Sequence, residues 1–134
     1  MTRVLVDTSA LVAFLDADDP RHQAVVATFA ALEDDDLVTH GYVVAESLAV
    51  TRRRLGLEAT IALLDDVLPA IEILAVDSAL HVHAQRRYRE ALPTGVSFVD
   101  HVSLAIIERE AINKAFVVDP DFAASGVQRV PAVE

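Results

Sequence analysis

The sequence predicts a single α/β domain with a mainly parallel central sheet of four or five strands flanked by helices. Three observations carry this. Short apolar runs alternate with longer amphipathic stretches along the whole chain, the βα pattern that builds parallel sheets. The first run, Arg3-Val4-Leu5-Val6, stops at Asp7, as a buried strand does at the carboxyl edge of a sheet. No repeat, low-complexity tract or linker divides the 134 residues, and 53 % of them are apolar, enough for one core.

That opening strand is expected to be central, because everything after it repeats the pattern. Thr8 and Ser9 can cap a helix beginning near Ala10 and ending at Leu15. Asp16-Ala17-Asp18-Asp19-Pro20 is an acidic turn whose proline is placed to open the next helix. Val25, Ala27 to Phe29 and Leu32 give residues 21–32 helical spacing, and 33–36 form a solvated loop. Residues 37–40 read as the second strand, and Gly41 turns the chain into a helix from about Tyr42 to Arg54. After the break at Gly56, Ile61, Leu64 and Leu68 place a core-facing stripe on a helix over 57–68, closed by Pro69. Residues 71–76 form the third strand, and Asp77 and Ser78 are caps for a helix to Leu92 with Leu80, Ala84, Tyr88 and Ala91 on one face. A loop at 93–95 precedes a helix over 97–110, a fourth strand over 115–118 and an edge strand over 127–130.

Composition removes several classes of function. No stretch is long and apolar enough to cross a bilayer, and Met1 leads straight into a strand, so a cytoplasmic protein is expected. The absence of cysteine excludes disulfides and thiolate metal sites, leaving oxygen ligands or five histidines. A formal charge of -10 speaks against non-specific coating of nucleic acid. Six of the eleven basic residues nevertheless gather at Arg52, Arg53, Arg54 and at Arg86, Arg87, Arg89, so local arginine patches remain for an RNA partner.

Four acidic residues are placed to meet at one edge of the sheet, where open α/β sheets bind ligands. Asp7 ends the first strand, and Asp119 is expected directly after the fourth. Glu46 sits among apolar neighbours early in the helix after the second strand; an exposed helix face is its plainer reading, but a buried carboxylate needs a cation or donors. Asp100 follows Ser97 at capping-box spacing, a sufficient structural role in itself, yet the helix after it heads into the core. Asp121 is an alternative to Asp119. Grouped carboxylates repel, and a fold keeps them together when protons or cations share the site. Oxygen ligands without cysteine suit Mg²⁺ or Mn²⁺. One or two such ions lower the pKa of bound water and clamp phosphodiester oxygens for in-line attack, so phosphodiester hydrolysis follows as the reaction class.

With these positions in place, the chain resembles the PIN domain, and within it the VapC ribonuclease toxins of prokaryotic toxin–antitoxin pairs. The resemblance rests on Val6-Asp7-Thr8-Ser9-Ala10-Leu11, Glu46, Ser97-Phe98-Val99-Asp100-His101 and Val118-Asp119-Pro120-Asp121-Phe122. It runs over essentially the whole chain, so 1–134 reads as one such domain. It implies an Mg²⁺- or Mn²⁺-dependent endoribonuclease with Asp7, Glu46, Asp100 and Asp119 as catalytic, metal-binding acids, assisted by a hydroxyl of Thr8 or Ser9. It further implies a homodimer, an RNA substrate (tRNA, rRNA or mRNA) and a VapB-type antitoxin that inhibits by covering the site, often with an arginine among the acids. Val118 stands where the family often has Thr or Ser, which leaves both Asp119 and Asp121 open as the fourth ligand.

Around the acids, Arg52, Arg53 and Arg54 end a helix, where cations complement the dipole, and are also placed to contact an RNA backbone. Tyr42 either packs in the core or stacks on a base. Arg86, Arg87 and Arg89 read as a solvated face or partner contacts. His81 and His83 lack the i, i+4 spacing of a zinc pair, and His101 reads as structural. The stripes at 24–32 and 61–68 are mostly core, with some apolar surface left for a dimer or antitoxin groove. A phosphoacceptor receiver domain would need a lysine after a late strand, whereas Lys114 precedes one. A haloacid-dehalogenase-type phosphatase would want an aspartate where Ser9 stands. The remaining alternative is a PIN-like module that binds RNA or a protein without cutting.

Overall fold

The computed structural model describes residues 2–119, 122 and 127–131. Its strands are β1 (Arg3–Val6), β2 (Asp36–His40), β3 (Glu72–Leu74), β4 (Lys114–Phe116) and β5 (Gln128–Val130). They form one sheet in the order β3-β2-β1-β4-β5, parallel at every pairing. The helices are α1 (Thr8–Leu15), α2 (His22–Ala31), α3 (Gly41–Arg54), α4 (Leu57–Ala62), α5 (Ser78–Glu90) and α6 (Phe98–Glu110). The predicted central place of β1 is borne out, and the reason is in its side chains. Val4, Leu5 and Val6 are wholly buried, and strand alternation sends Val4 and Val6 to one face and Leu5 to the other. The first face packs on α1, α2 and α3 through Leu11, Val25 and Val43, with Leu63; the second packs on α5 and α6 through Leu80, Ala84, Val102 and Ile106.

From β1 the chain winds outward through β2 and β3, then returns to place β4 on the other side of β1. The crevice between β1 and β4 is therefore the topological switch point, where sheets of this kind receive ligands.

Several elements differ from their sequence-based expectation, each for a local reason. α1 begins at Thr8, not Ala10, because Asp7 itself is the N-cap and accepts the Ser9 N–H at 3.3 Å. The expected helix over 57–68 is broken: α4 stops at Ala62, a π turn spans Leu63–Val67, and a 3₁₀ turn around Pro69 spans Leu68–Ala70. The wider π turn shifts the helical phase. Leu63 and Val67 take the core positions, and Ile61 and Leu64, expected there, are each 47 % exposed. In the earlier stripe, Val25 and Leu32 are buried while Val26 faces outward. β3 covers 72–74 rather than 71–76. β4 ends at Phe116, so Val117 and Val118 lie past the strand and Asp119 does not follow it directly.

His40 closes β2 in a role the sequence did not announce. Its Nδ1 accepts the N–H groups of Tyr42 and Val43 at 3.2 and 3.4 Å, capping α3. That leaves the ring proton on Nε2, which donates to Ser103 Oγ at 2.8 Å and ties the end of β2 to α6. Burial pushes the His40 imidazole down to about 4, so it stays neutral.

Candidate active site

Asp7 stands at the mouth of the switch point, 4 % exposed. Its Oδ2 accepts from the Ser9 backbone and from Ser9 Oγ at 3.3 and 3.1 Å. Its Oδ1 is buried with no partner among the described residues. Burial, and after it the charge of Asp100, push the Asp7 carboxyl up to about 7, against the opposing pull of the Ser9 hydrogen bonds. A buried acceptor left open in this way calls for an explanation.

Asp100 lies in the first turn of α6, where Ser97 Oγ takes its N–H at 3.1 Å. Burial raises its carboxyl, the Ser97 hydrogen bonds hold it back, and the charges of Asp119 and Glu46 add to the rise. Glu46 is half-buried in α3, and Asp119 is half-buried past β4. All four acids line one cleft of about 370 Å³. The grouping expected from the sequence is thus present, with the carboxylates near enough to feel one another's charge.

Both hydroxyls proposed to assist are in the cleft wall. Thr8 Oγ1 is buried without a partner among the described residues. Ser9 Oγ is fully committed: it donates to Asp7 Oδ2 and accepts the N–H groups of Val118 and Asp119 at 3.0 and 3.3 Å. Of the arginine triplet, Arg54 lines the cleft, whereas Arg52 and Arg53 are exposed away from it. Tyr42 is not in the cleft lining; its hydroxyl is 2.6 Å from His81 Nδ1 and its ring packs against Phe98. His101 is buried against Tyr88 with neither ring nitrogen partnered among the described residues, and burial, then the Arg87 charge, keep it neutral. Arg87 itself pairs with Glu108 at 2.6 Å. Asp121 lies outside the described residues.

Asp16, Asp19 and Arg21 also line the cleft, and none of them was among the individual residues expected to act there. α1 runs from its cap Asp7 to Asp16, which brings the acidic turn to the same cleft. Arg129, whose Nη2 donates to the Asp119 carbonyl at 2.7 Å, gave no signal at all.

The donor set suits a hard divalent cation: carboxylate oxygens, one of them orphaned, on side chains whose mutual repulsion a positive charge would relieve. Among the described residues, no three acidic or histidine side chains stand close enough to enclose an ion by themselves. Mg²⁺ tolerates such a site, since it keeps several waters and uses one or two carboxylates.

A five-stranded parallel sheet of this order, with acids from the end of β1, from α3 and α6 and from the segment after β4 meeting at its switch point, defines a class. The PIN domain family model matches residues 4–126, and the chain belongs to the PIN domain family. It is similar to the 23S rRNA-specific endonuclease VapC20 of Mycobacterium tuberculosis, with 28 % identity covering 95 % of this chain and 97 % of that protein. Ribonuclease VapC26 of the same species is 39 % identical over 64 residues, 48 % of this chain and 47 % of its own. The crystal structure of VapC20, described as a sarcin-ricin loop cleaving toxin, superposes with a TM-score of 0.83 at 27 % identity, covering 92 % of this chain and 95 % of that one. FitAcB from Neisseria gonorrhoeae shares the fold, with a TM-score of 0.66 at 22 % identity over 94 % of this chain and 95 % of that one.

Proposed function

We propose that this protein is an Mg²⁺- or Mn²⁺-dependent endoribonuclease and the toxin of a toxin–antitoxin pair, with 1–134 forming its one PIN domain. The observation that carries this reading is the meeting of Asp7, Glu46, Asp100 and Asp119 in one cleft at the switch point of the sheet. Similarity over nearly the full length to VapC20, a 23S rRNA-specific endonuclease, supports RNA as the substrate.

The four acids would share the cation, one or two of them directly and the others through its waters, with Asp7 Oδ1 free to turn to it. When bound, the cation supplies a water acidic enough to attack a phosphodiester and a positive centre against its oxygens. The chain's own residues do the rest. Ser9 holds Asp7 by its Oδ2 and leaves Oδ1 without a partner among the described residues. Ser97 presents Asp100 on the first turn of α6. Arg54 sits at the cleft wall, where it offers a cation to the RNA backbone that the acids would otherwise repel.

A VapB-type antitoxin and a homodimer complete the proposal. Leu57, Ile61 and Leu64 are 60 %, 47 % and 47 % exposed along one stretch of chain, which supports a partner-covered surface. No helix among the described residues is long and apolar enough to cross a membrane, and a cytoplasmic site of action accords with that.

The test is incubation of purified, antitoxin-free protein with total cellular RNA in Mg²⁺ or Mn²⁺, beside a chelated sample and an Asp100→Asn variant, with the new ends mapped. Discrete metal-dependent cuts that disappear in the variant are expected. Cuts that persist in it would remove Asp100 from the chemistry, and no cuts from folded, metal-binding protein would favour a module that binds without cutting.

A further inference from the structure

Because β4 ends at Phe116, the main chain that carries Asp119 into the cleft runs past the sheet ladder. Val117 N–H still reaches Val130 O at 3.2 Å, and Phe122 N–H reaches Asp119 O at 3.3 Å. The other peptide groups of this segment are met by side chains. Ser9 Oγ takes the N–H groups of Val118 and Asp119 from the cleft side. Arg21 Nη1 donates to Val118 O at 3.0 Å. Arg129 Nη2 donates to Asp119 O at 2.7 Å and to Val117 O at 3.4 Å.

Neither guanidinium is there by accident of a floppy surface chain. The Nε and Nη2 of Arg21 are locked on the two oxygens of Asp19 at 3.1 Å each, so the fork is set before it meets Val118. Asp19 hydrogen bonding and, to a smaller degree, the Asp119 charge strengthen the hold of Arg21 on its proton. Arg129 projects from β5 with its Nε buried and unpartnered among the described residues, a cost that the carbonyl contacts must offset. The two arginines come from elements more than a hundred residues apart and meet on consecutive carbonyls next to one carboxylate.

We propose that Arg21 and Arg129 are positioning residues for Asp119: their guanidiniums grip the Val118 and Asp119 carbonyls, hold this segment in place without a strand ladder, and thereby set the Asp119 carboxylate for metal binding. On this view the edge strand β5 serves the site, and Asp19 serves it at one remove by fixing Arg21. The inference rests on the nuclease reading above, and concerns residues that do not themselves hold the ion.

The test is Mn²⁺ binding to the whole metal-free chain, followed by calorimetry, which needs no RNA and no turnover. Arg129→Ala and Arg21→Ala should each weaken Mn²⁺ binding about tenfold or more, the effect usual for groups that orient a ligand. Arg129→Lys, which keeps a cationic donor, should recover part of it. In an Asp119→Asn background, neither arginine substitution should weaken binding further. Wild-type affinity in both alanine variants, or an equal loss whether or not Asp119 is present, would overturn the proposal. Should Arg129→Ala fail to fold, Arg21→Ala decides, since Arg21 is exposed and lies outside the core. Wild-type protein that binds no Mn²⁺ and matches Asp100→Asn would mark failure of the nuclease reading itself, and the positioning role would fall with it.

Discussion

Replacing Asp7 by Asn should stabilise the metal-free protein near pH 8 and do little near pH 4. Folding lifts the Asp7 carboxyl from 3.8 to about 7, so the folded state binds this proton more tightly than the unfolded chain does. The resulting stability is fully present below the unfolded value of 3.8 and is lost as pH rises through about 7. At about 1.4 kcal/mol per pH unit, the ionised carboxylate costs at most about 4 kcal/mol above that range. Asn keeps the shape, and its carbonyl still accepts the Ser9 N–H at the start of α1. Urea unfolding of both proteins in chelator at several pH values reads the difference directly. The gap should open with rising pH toward that limit, and millimolar Mg²⁺ should close it by stabilising the wild type alone. The paired comparison is essential because His40 tilts the wild-type profile the other way. Its depressed value of about 4 contributes stability above the unfolded 6.5 that is lost as pH falls through about 4. An Asp7→Asn protein no more stable than wild type near pH 8 in chelator would refute the argument that burial and Asp100 strain this carboxylate.

The other predictions concern single contacts. The His40 imidazole should titrate near pH 4 in NMR spectra as the Nε2–H tautomer; a midpoint near 6.5 would show that the ring is not sealed between α3 and α6. Ser97→Ala should cost about 1 kcal/mol in urea unfolding, the usual loss for an N-cap, and should raise the Asp100 carboxyl further by removing a hydrogen bond that holds it down. Unchanged stability would argue against the cap. Arg54→Ala, made in the Asp100→Asn background so that RNA survives, should weaken RNA binding and flatten its salt dependence by about one unit of slope. Arg52→Ala should do less, because Arg52 does not line the cleft; equal effects would mean that the triplet acts as a diffuse field.

The PIN domain assignment was legible because its evidence is local. A strand that is buried on both faces must be a short apolar run, and Val4-Leu5-Val6 could be little else. Asp7, Glu46 and Asp100 were legible as candidates because each breaks an apolar pattern at a strand end or in the first turns of a helix. The misreadings were also local, but they turned on geometry that periodicity does not encode. Asp7 caps α1 itself, and one π turn over Leu63–Val67 exchanges which residues of the stripe are buried.

By itself, then, the sequence determined the order of the main elements, the candidacy of Asp7, Glu46 and Asp100, and the absence of any cysteine ligand. Only the tertiary structure decided that β4 lies beside β1, which brings residues 7 and 119 to one crevice. It alone recruited Arg21 and Arg129 to the carbonyls around Asp119 and committed the Ser9 hydroxyl to three partners. The reason is physical. Strand and helix follow from backbone sterics and hydrophobic period over a few residues, whereas these contacts join groups distant in sequence whose meeting depends on how the packed layers close.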